Sequence, residues 1–126
     1  MDRFLLVFVG GGLGSALRYL VSVSLARVLP TFPLGTLCVN LVGSLLMGLL
    51  MQIALSSSAF SPSVRLTLTT GFVGGFTTYS TFNYETTKLL QDGSAAVAFA
   101  NLSATLFGCL LAGIAGAWLG QRLVTP

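Results

Sequence analysis

The chain has 126 residues, of which 54% are hydrophobic and 7% are charged, and its mean hydropathy is +0.91. Soluble domains carry about a quarter charged residues, so this composition excludes a globule in water and indicates an integral membrane protein. The formal charge of +3 comes without a basic cluster and does not indicate a nucleic-acid partner. The sequence has no His, and Cys38 and Cys109 lie on different predicted helices, which favours neither a metal site nor a redox pair.

Four apolar runs are long enough to cross a bilayer, which requires about 20 residues. The runs cover about 4–29, 34–56, 64–90 and 94–122. Pro, Ser, Asp and Gly in the segments between them are turn and loop signals. We therefore predict an all-α integral membrane protein, a single membrane domain over 1–126 with four transmembrane helices. A secretory signal peptide is the alternative for the first run, but Arg18 interrupts that run.

Basic residues are divided almost evenly between the two ends of such a bundle. Three fall on the side of the N-terminus and two on the other, namely Arg3, Arg65 and Arg122 against Arg27 and Lys88. A chain with so little positive-inside bias can insert in both orientations. Two inverted copies would form an antiparallel homodimer. One orientation set by other details is the alternative.

Three polar side chains within the apolar runs are candidates for function. Arg18 either snorkels to an interface or places a positive charge at the mouth of an anion path, since an Arg buried in a membrane faces protein or water. Asn40 can hold an anion with its amide, or it can staple helices together. Glu85 precedes Lys88 by three residues, which indicates either a salt bridge near the surface or a proton-coupling carboxylate.

The third run contains two adjacent glycines and then hydroxyl groups among aromatic rings, in the stretch GFVGGFTTYSTF (71–82). Glycine permits unusual backbone angles, so we predict that this helix is broken near Gly74-Gly75. Irregular backbone in a membrane is tolerated only inside protein or beside a water-filled cavity, and transporters use it to bind ions. An unbroken helix with a glycine packing face is the alternative.

Aromatic residues recur every three positions after these glycines, at Phe76, Tyr79 and Phe82. Such stripes are more often core than function, but a ring edge carries partial positive charge. Ring edges and hydroxyl donors together form a weak anion path, and conduction requires weak binding. The fourth run carries small residues at every fourth position, which predicts close helix packing and a pathway narrow enough for an ion. They are Gly108, Ala112, Gly116 and Gly120.

Three motifs together resemble the Fluc, or CrcB, family of fluoride ion channels. They are GGLGSALRY (11–19), GTLCVNLVGS (35–44) and GFVGGFTTYSTFNYE (71–85). Motif order, span count and length agree, so the resemblance covers essentially the whole chain. It implies a non-enzymatic, multi-pass protein of the bacterial inner membrane that exports fluoride passively through two pores of an antiparallel, dual-topology homodimer.

The resemblance also implies roles for individual residues. Arg18 would lie in the vestibule, and Glu85 would support the path by hydrogen bonding. A structural Na⁺ at the dimer centre would be held by the backbone carbonyls of Gly74 and Thr77. Fluoride, membrane lipid and a second copy of the chain are the implied partners, and nucleic acid is not. The implied fluoride pathway comprises Asn40, Tyr79, Ser80, Thr81, Phe82 and Thr105.

Two features depart from the pattern of that family. Tyr79 stands where the family usually has Phe, and its added hydroxyl can bind fluoride, block it or change the rate. The family's polar track on the fourth helix falls on Thr105, Cys109 and Gly113, of which only Thr105 is a good donor.

Other functions fit the residues less well. A small dual-topology, proton-coupled multidrug exporter is the main alternative, and it would need a carboxylate deep in a helix facing a roomy cavity. Glu85 is the acidic candidate, and it lies near a helix end. A non-transporting anchor protein would leave the hydroxyl-rich third run without a purpose. An intramembrane enzyme lacks a nucleophile and base constellation.

Overall fold

The computed structural model describes residues 2–57 and 59–124, and within these ranges every regular element is helical. The elements are α1 (Asp2–Ala26), α2 (Leu34–Ser56), α3 (Pro62–Leu66), a π-helical stretch (Thr67–Val73), α4 (Gly74–Phe76), α5 (Tyr79–Gln91) and α6 (Ala95–Val124). Three of the helices, α1, α2 and α6, are long and apolar enough to cross a membrane. The prediction of an all-α membrane protein is therefore confirmed.

The predicted third span consists of short pieces instead of one regular helix. From residue 62 to residue 76, α3, the π-helical stretch and α4 follow one another without a gap, and α5 begins after two further residues. We call residues 62–91 the interrupted helix. Because none of its pieces is long enough to span a bilayer alone, three spanning helices are confirmed and a fourth crossing stays a prediction.

The break in this helix lies at Thr77 and Thr78, two residues beyond the glycine pair. Thr77 has φ −86° and ψ 159°, and Thr78 has φ −153° and ψ 118°, so both residues are extended. Gly74 is helical, with φ −61° and ψ −38°. A Cβ built on Gly75 would lie only 2.9 Å from the Cα of Gly11. The prediction of a break near Gly74-Gly75 was correct. The glycines themselves stay helical, and Gly75 packs closely against α1.

Local sequence explains where the shorter helices begin and end. The Thr78 hydroxyl accepts a hydrogen bond from the Thr81 N–H at 3.3 Å and caps the start of α5. Ser61 caps the start of α3 in the same way. Gly93 follows α5 with a φ of +77°, a left-handed conformation that glycine adopts without steric cost and that turns the chain into α6.

Close backbone contacts hold the bundle in two pairs, α2 along α6 and α1 along the interrupted helix. A Cβ on Gly116 of α6 would lie 3.0 Å from the backbone N of Leu49 on α2. A Cβ on Gly14 of α1 would lie 2.8 Å from the backbone N of Phe76. Small residues let helices approach closely in lipid. The predicted packing role of the α6 stripe is confirmed at Gly116.

Candidate ion pathway

The side chain of Asn40 holds the break between α4 and α5. Its Nδ2 donates to the Thr78 carbonyl oxygen at 3.0 Å, and its Oδ1 accepts from the Thr78 N–H at 2.8 Å. Both residues are buried. The amide therefore replaces the helical partners that the Thr78 backbone lacks at the break. Of the two roles open for Asn40, the structure shows the link between helices, and its Nδ2 has a second N–H donor besides the one bonded to Thr78.

A cluster of hydroxyl groups stands at the start of α5. Thr78 Oγ1 donates to Thr81 Oγ1 at 3.0 Å and lies 3.3 Å from Ser80 Oγ. Ser80 and Thr81 are exposed. The N-terminus of a helix carries partial positive charge, so donors at this position favour an anion.

Four of the predicted pathway residues line one cavity of about 460 Å³ between α2, α5 and α6. They are Asn40, Tyr79, Phe82 and Thr105. Cys109, one turn beyond Thr105 on α6, also lines the cavity. Ser80 and Thr81 are not among the residues that line it, and neither is Gly113. The fold therefore brings together part of the predicted set from three separate helices.

The two aromatic rings at this cavity differ in exposure. Phe82 is 6% exposed, whereas Tyr79 is 77% exposed. Their ring centroids lie 5.6 Å apart, and the ring planes are tilted by 54°. This tilted arrangement directs the edge of one ring toward its neighbour, and the edges carry the positive part of the quadrupole. Tyr79 is therefore the more accessible of the two rings that line the cavity.

A second cavity, of about 270 Å³, follows further along α2 and α5. Glu85 and Thr36 both line it, and the Thr36 hydroxyl donates to Glu85 Oε1 at 2.9 Å. Thr36 lies one turn before Asn40 on α2, and Glu85 lies one turn after Phe82 on α5. The two cavities therefore succeed each other along the same pair of helices. Thr36 was not among the predicted site residues. The feature of the sequence that could have identified it is a hydroxyl group one helical turn from Asn40.

The predicted ion pair between Glu85 and Lys88 is wrong. Lys88 Nζ lies 3.1 Å from Asp92 Oδ1, one turn further along α5, and both side chains are about half exposed. Glu85 instead faces α2, where Thr36 donates to it. Because the two residues point toward different neighbours, the carboxylate of Glu85 has no lysine to neutralise it within the described part of the chain.

Arg18 reaches the break from α1. Its Nη1 donates to the Thr77 carbonyl oxygen at 3.2 Å, and the residue is half-buried. Residues 62–76 form a continuous helical run that ends at this carbonyl, where the helix carries partial negative charge. The guanidinium is therefore placed where a cation is favourable. Arg18 lines neither of the two cavities, so its positive charge stands beside the path.

Asn101 is a polar residue of α6 that the sequence analysis missed. It is 1% exposed, and its Nδ2 donates to Thr86 Oγ1 at 2.8 Å. The Thr86 hydroxyl in turn donates to the Phe82 carbonyl oxygen at 2.8 Å, which links α6 to the segment that carries the buried ring. An amide inside an apolar helix was the available signal, because buried polar groups require partners.

Three buried polar atoms have no hydrogen-bond partner among the described residues. They are Glu85 Oε2, Asn101 Oδ1 and Thr105 Oγ1. An unpaired buried polar atom typically costs about 1–3 kcal/mol. All three lie on α5 and α6, and the Thr105 hydroxyl lines the larger cavity. This hydroxyl is a donor available to a bound anion.

The backbone at the break supplies oxygen atoms that suit a hard cation such as Na⁺. In a continuous helix the Gly74 carbonyl would accept from the Thr78 N–H, which here donates to Asn40. Gly74 is exposed. The Thr77 carbonyl already accepts from Arg18, and its second lone pair is left for a cation. Carbonyl oxygens are ligands of the kind that hard cations take.

The family model described as CrcB-like protein, Camphor Resistance (CrcB), matches residues 5–117 of the chain. The chain belongs to the CrcB family. Relatives with the name fluoride-specific ion channel FluC match it over nearly its whole length. One from Anaeromyxobacter sp. (strain K) is 51% identical over 98% of each chain, and one from Sorangium cellulosum (strain So ce56) is 44% identical over 98% of each. A third, from Chlorobium chlorochromatii (strain CaD3), is 48% identical over 94% of this chain and 88% of its own.

Membership in the CrcB family confirms the resemblance that the three motifs indicated. The matched range contains every residue described above as a candidate for the pathway, from Arg18 to Thr105. The CrcB relatives carry the name of an ion channel, a class that moves ions without catalysing a reaction. Together with the three spanning helices, the CrcB match makes this chain a multi-pass membrane protein.

Proposed function

We propose that this chain is a fluoride-selective channel that releases fluoride passively across the inner membrane and thereby limits its toxicity. The observation that carries the proposal is the cavity between α2, α5 and α6, lined by Asn40, Tyr79, Phe82 and Thr105. The full-length similarity to channels named for fluoride supports the choice of ion. The multidrug exporter is not favoured, because Glu85 accepts from Thr36 at a cavity of only about 270 Å³.

Selection of fluoride follows from the kind of donor at the cavity. Fluoride is small and strongly hydrated, so donors in a tight space must replace its water. The free N–H of Asn40 and the unpaired hydroxyl of Thr105 are such donors, and the edge of Phe82 adds partial positive charge. Arg18 lies outside the cavity, where it raises the local anion concentration without binding the ion tightly.

The working form is an antiparallel, dual-topology homodimer with two pores. Ser80, Thr81 and the Tyr79 ring are exposed in the single protomer, beside a break whose backbone is irregular. Polar side chains and irregular backbone in a membrane require protein or water around them, and a second copy would provide this cover. The near balance of basic residues between the two ends permits both orientations.

A structural Na⁺ is the cofactor that we place at the centre of this dimer. The Gly74 and Thr77 carbonyls of both copies would hold it. When bound, the ion supplies a fixed positive charge that links the two copies. Replacement of Na⁺ by choline during purification is expected to shift the protein from dimer to monomer in size-exclusion chromatography. A dimer of unchanged stability would contradict the role of the ion and leave the fluoride assignment intact.

The channel function is tested by reconstitution into liposomes with a fluoride electrode. We expect rapid fluoride efflux with little chloride efflux, and we expect Phe82→Ile to abolish most of the fluoride flux while the dimer persists. The matched control is Phe107→Ile, the same substitution at an exposed position of α6. Absence of fluoride efflux, or chloride efflux at the same rate, would overturn the proposal. Unchanged flux in Phe82→Ile would assign Phe82 to the core.

A further inference from the structure

Two arginines share a groove at the end of the bundle where α1 begins and α2 ends. The groove measures about 580 Å³, within the range of about 300–1,000 Å³ that is typical of ligand pockets. It is lined by Arg3, Met47, Met51, Pro62, Arg65, Leu66, Thr69 and Thr70. Among the described residues that line it, none is acidic, and neither arginine is paired with a carboxylate in the described part of the chain.

Charge and hydrophobicity are separated along this groove. Arg3 is the second residue of α1 and Arg65 is the fourth residue of α3. Both arginines therefore lie near the start of a helix. Met51 and Met47 lie deeper, about 8 and 14 Å before the end of α2 at a rise of about 1.5 Å per residue. A ligand that fills the groove would have an anionic group at the membrane surface and an apolar chain directed into the membrane.

We propose that this groove binds an anionic glycerophospholipid. Its phosphate would lie between Arg3 and Arg65, which can bind it through paired N–H donors, and its acyl chain would lie along Met47 and Met51. Basic pockets between transmembrane helices bind anionic headgroups in this way. Met47 also lines the cavity between α2, α5 and α6, so the groove adjoins that cavity. Met51 lines the groove and not the cavity, and its apolar side chain suits an acyl chain.

The inference is tested by native mass spectrometry of the purified dimer with equal amounts of phosphatidylglycerol and phosphatidylcholine. Wild type is expected to retain phosphatidylglycerol. The Arg3→Gln/Arg65→Gln double variant is expected to bind it about 25-fold more weakly, since each arginine contributes about five-fold. The matched control, Arg27→Gln/Arg122→Gln, removes two charges outside the groove. Equal loss in the control, or no loss in the double variant, would overturn the site.

Two further measurements distinguish the lipid from other occupants. Millimolar inorganic phosphate is expected to leave the bound phosphatidylglycerol in place, whereas full displacement would assign the groove to a small anion. In liposomes of pure phosphatidylcholine, the Arg3→Gln/Arg65→Gln variant is expected to conduct fluoride like wild type. A fall in efflux there would place the arginines on the anion path and overturn the lipid assignment. A dimer that retains no lipid at all would show that the partner copy covers the groove.

Discussion

Replacement of Asn40 by alanine tests how the break in the interrupted helix is held. The substitution removes both hydrogen bonds to Thr78, of 3.0 and 2.8 Å, and leaves a backbone N–H and a carbonyl buried without partners. Each unsatisfied group costs about 1–3 kcal/mol, so the break conformation loses about 2–6 kcal/mol. If this free energy opposes the conducting arrangement, fluoride efflux falls at least about 30-fold, because about 1.4 kcal/mol is a factor of ten.

The assay compares fluoride efflux from liposomes with the apparent melting temperature of the dimer in detergent. The matched control is Gln52→Ala, which removes an amide of the same helix whose hydrogen bond to Ser56 is exposed. Asn40→Asp keeps an acceptor for the Thr78 N–H but loses the donor and adds a negative charge at the cavity, so its flux should fall further than its stability. Efflux within two-fold of wild type in Asn40→Ala would refute the role of the amide as a staple.

Two further substitutions probe the packing and the buried amide. Gly14→Ala places a Cβ 2.8 Å from the backbone N of Phe76 and should lower the free energy of unfolding by about 1–3 kcal/mol. The control is Gly12→Ala, whose Cβ has no neighbour within 4 Å and should be neutral or stabilising. Apparent melting temperatures measure both effects. Equal effects would contradict the close approach of α1. Asn101→Leu loses the hydrogen bond to Thr86 but also removes the unpaired Oδ1. The free energy of unfolding should therefore change by less than about 1 kcal/mol, as read from the shift in apparent melting temperature. A much larger loss would indicate that Oδ1 has a partner.

The spanning helices were predictable because the bilayer imposes a length of about 20 apolar residues on each of them. The range 34–56 coincides with α2, and the bounds of the first and last spans differ from those of α1 and α6 by one to three residues. Hydropathy is a property of each residue and its neighbours in the chain, so a single sequence contains it. The break was predicted from the low helix propensity of the glycine pair, although the two residues that leave the helix are Thr77 and Thr78.

The position of the break depended on contacts between distant residues. Asn40 lies 38 positions from Thr78 in the sequence. Its amide hydrogen-bonds both backbone groups of Thr78, so the backbone there can be extended without leaving those groups unpaired. Gly75 remains helical because it packs against Gly11 on another helix. Thr36 was missed because a hydroxyl in an apolar helix usually bonds its own backbone, and only the pairing of α2 with α5 reveals its carboxylate partner.

Because of the π-helical stretch at Thr67–Val73, the number of residues in the interrupted helix sets the direction of the groups at its break. Each residue of an α-helix turns the chain by about 100°, so one residue more or less before the break would rotate everything that follows by that amount. A wide turn of this kind absorbs an extra residue. Natural insertions and deletions are therefore expected to avoid 67–76 and to collect in the loop between α2 and α3, because a single deletion in the stretch would turn the Gly74 carbonyl away from its present direction.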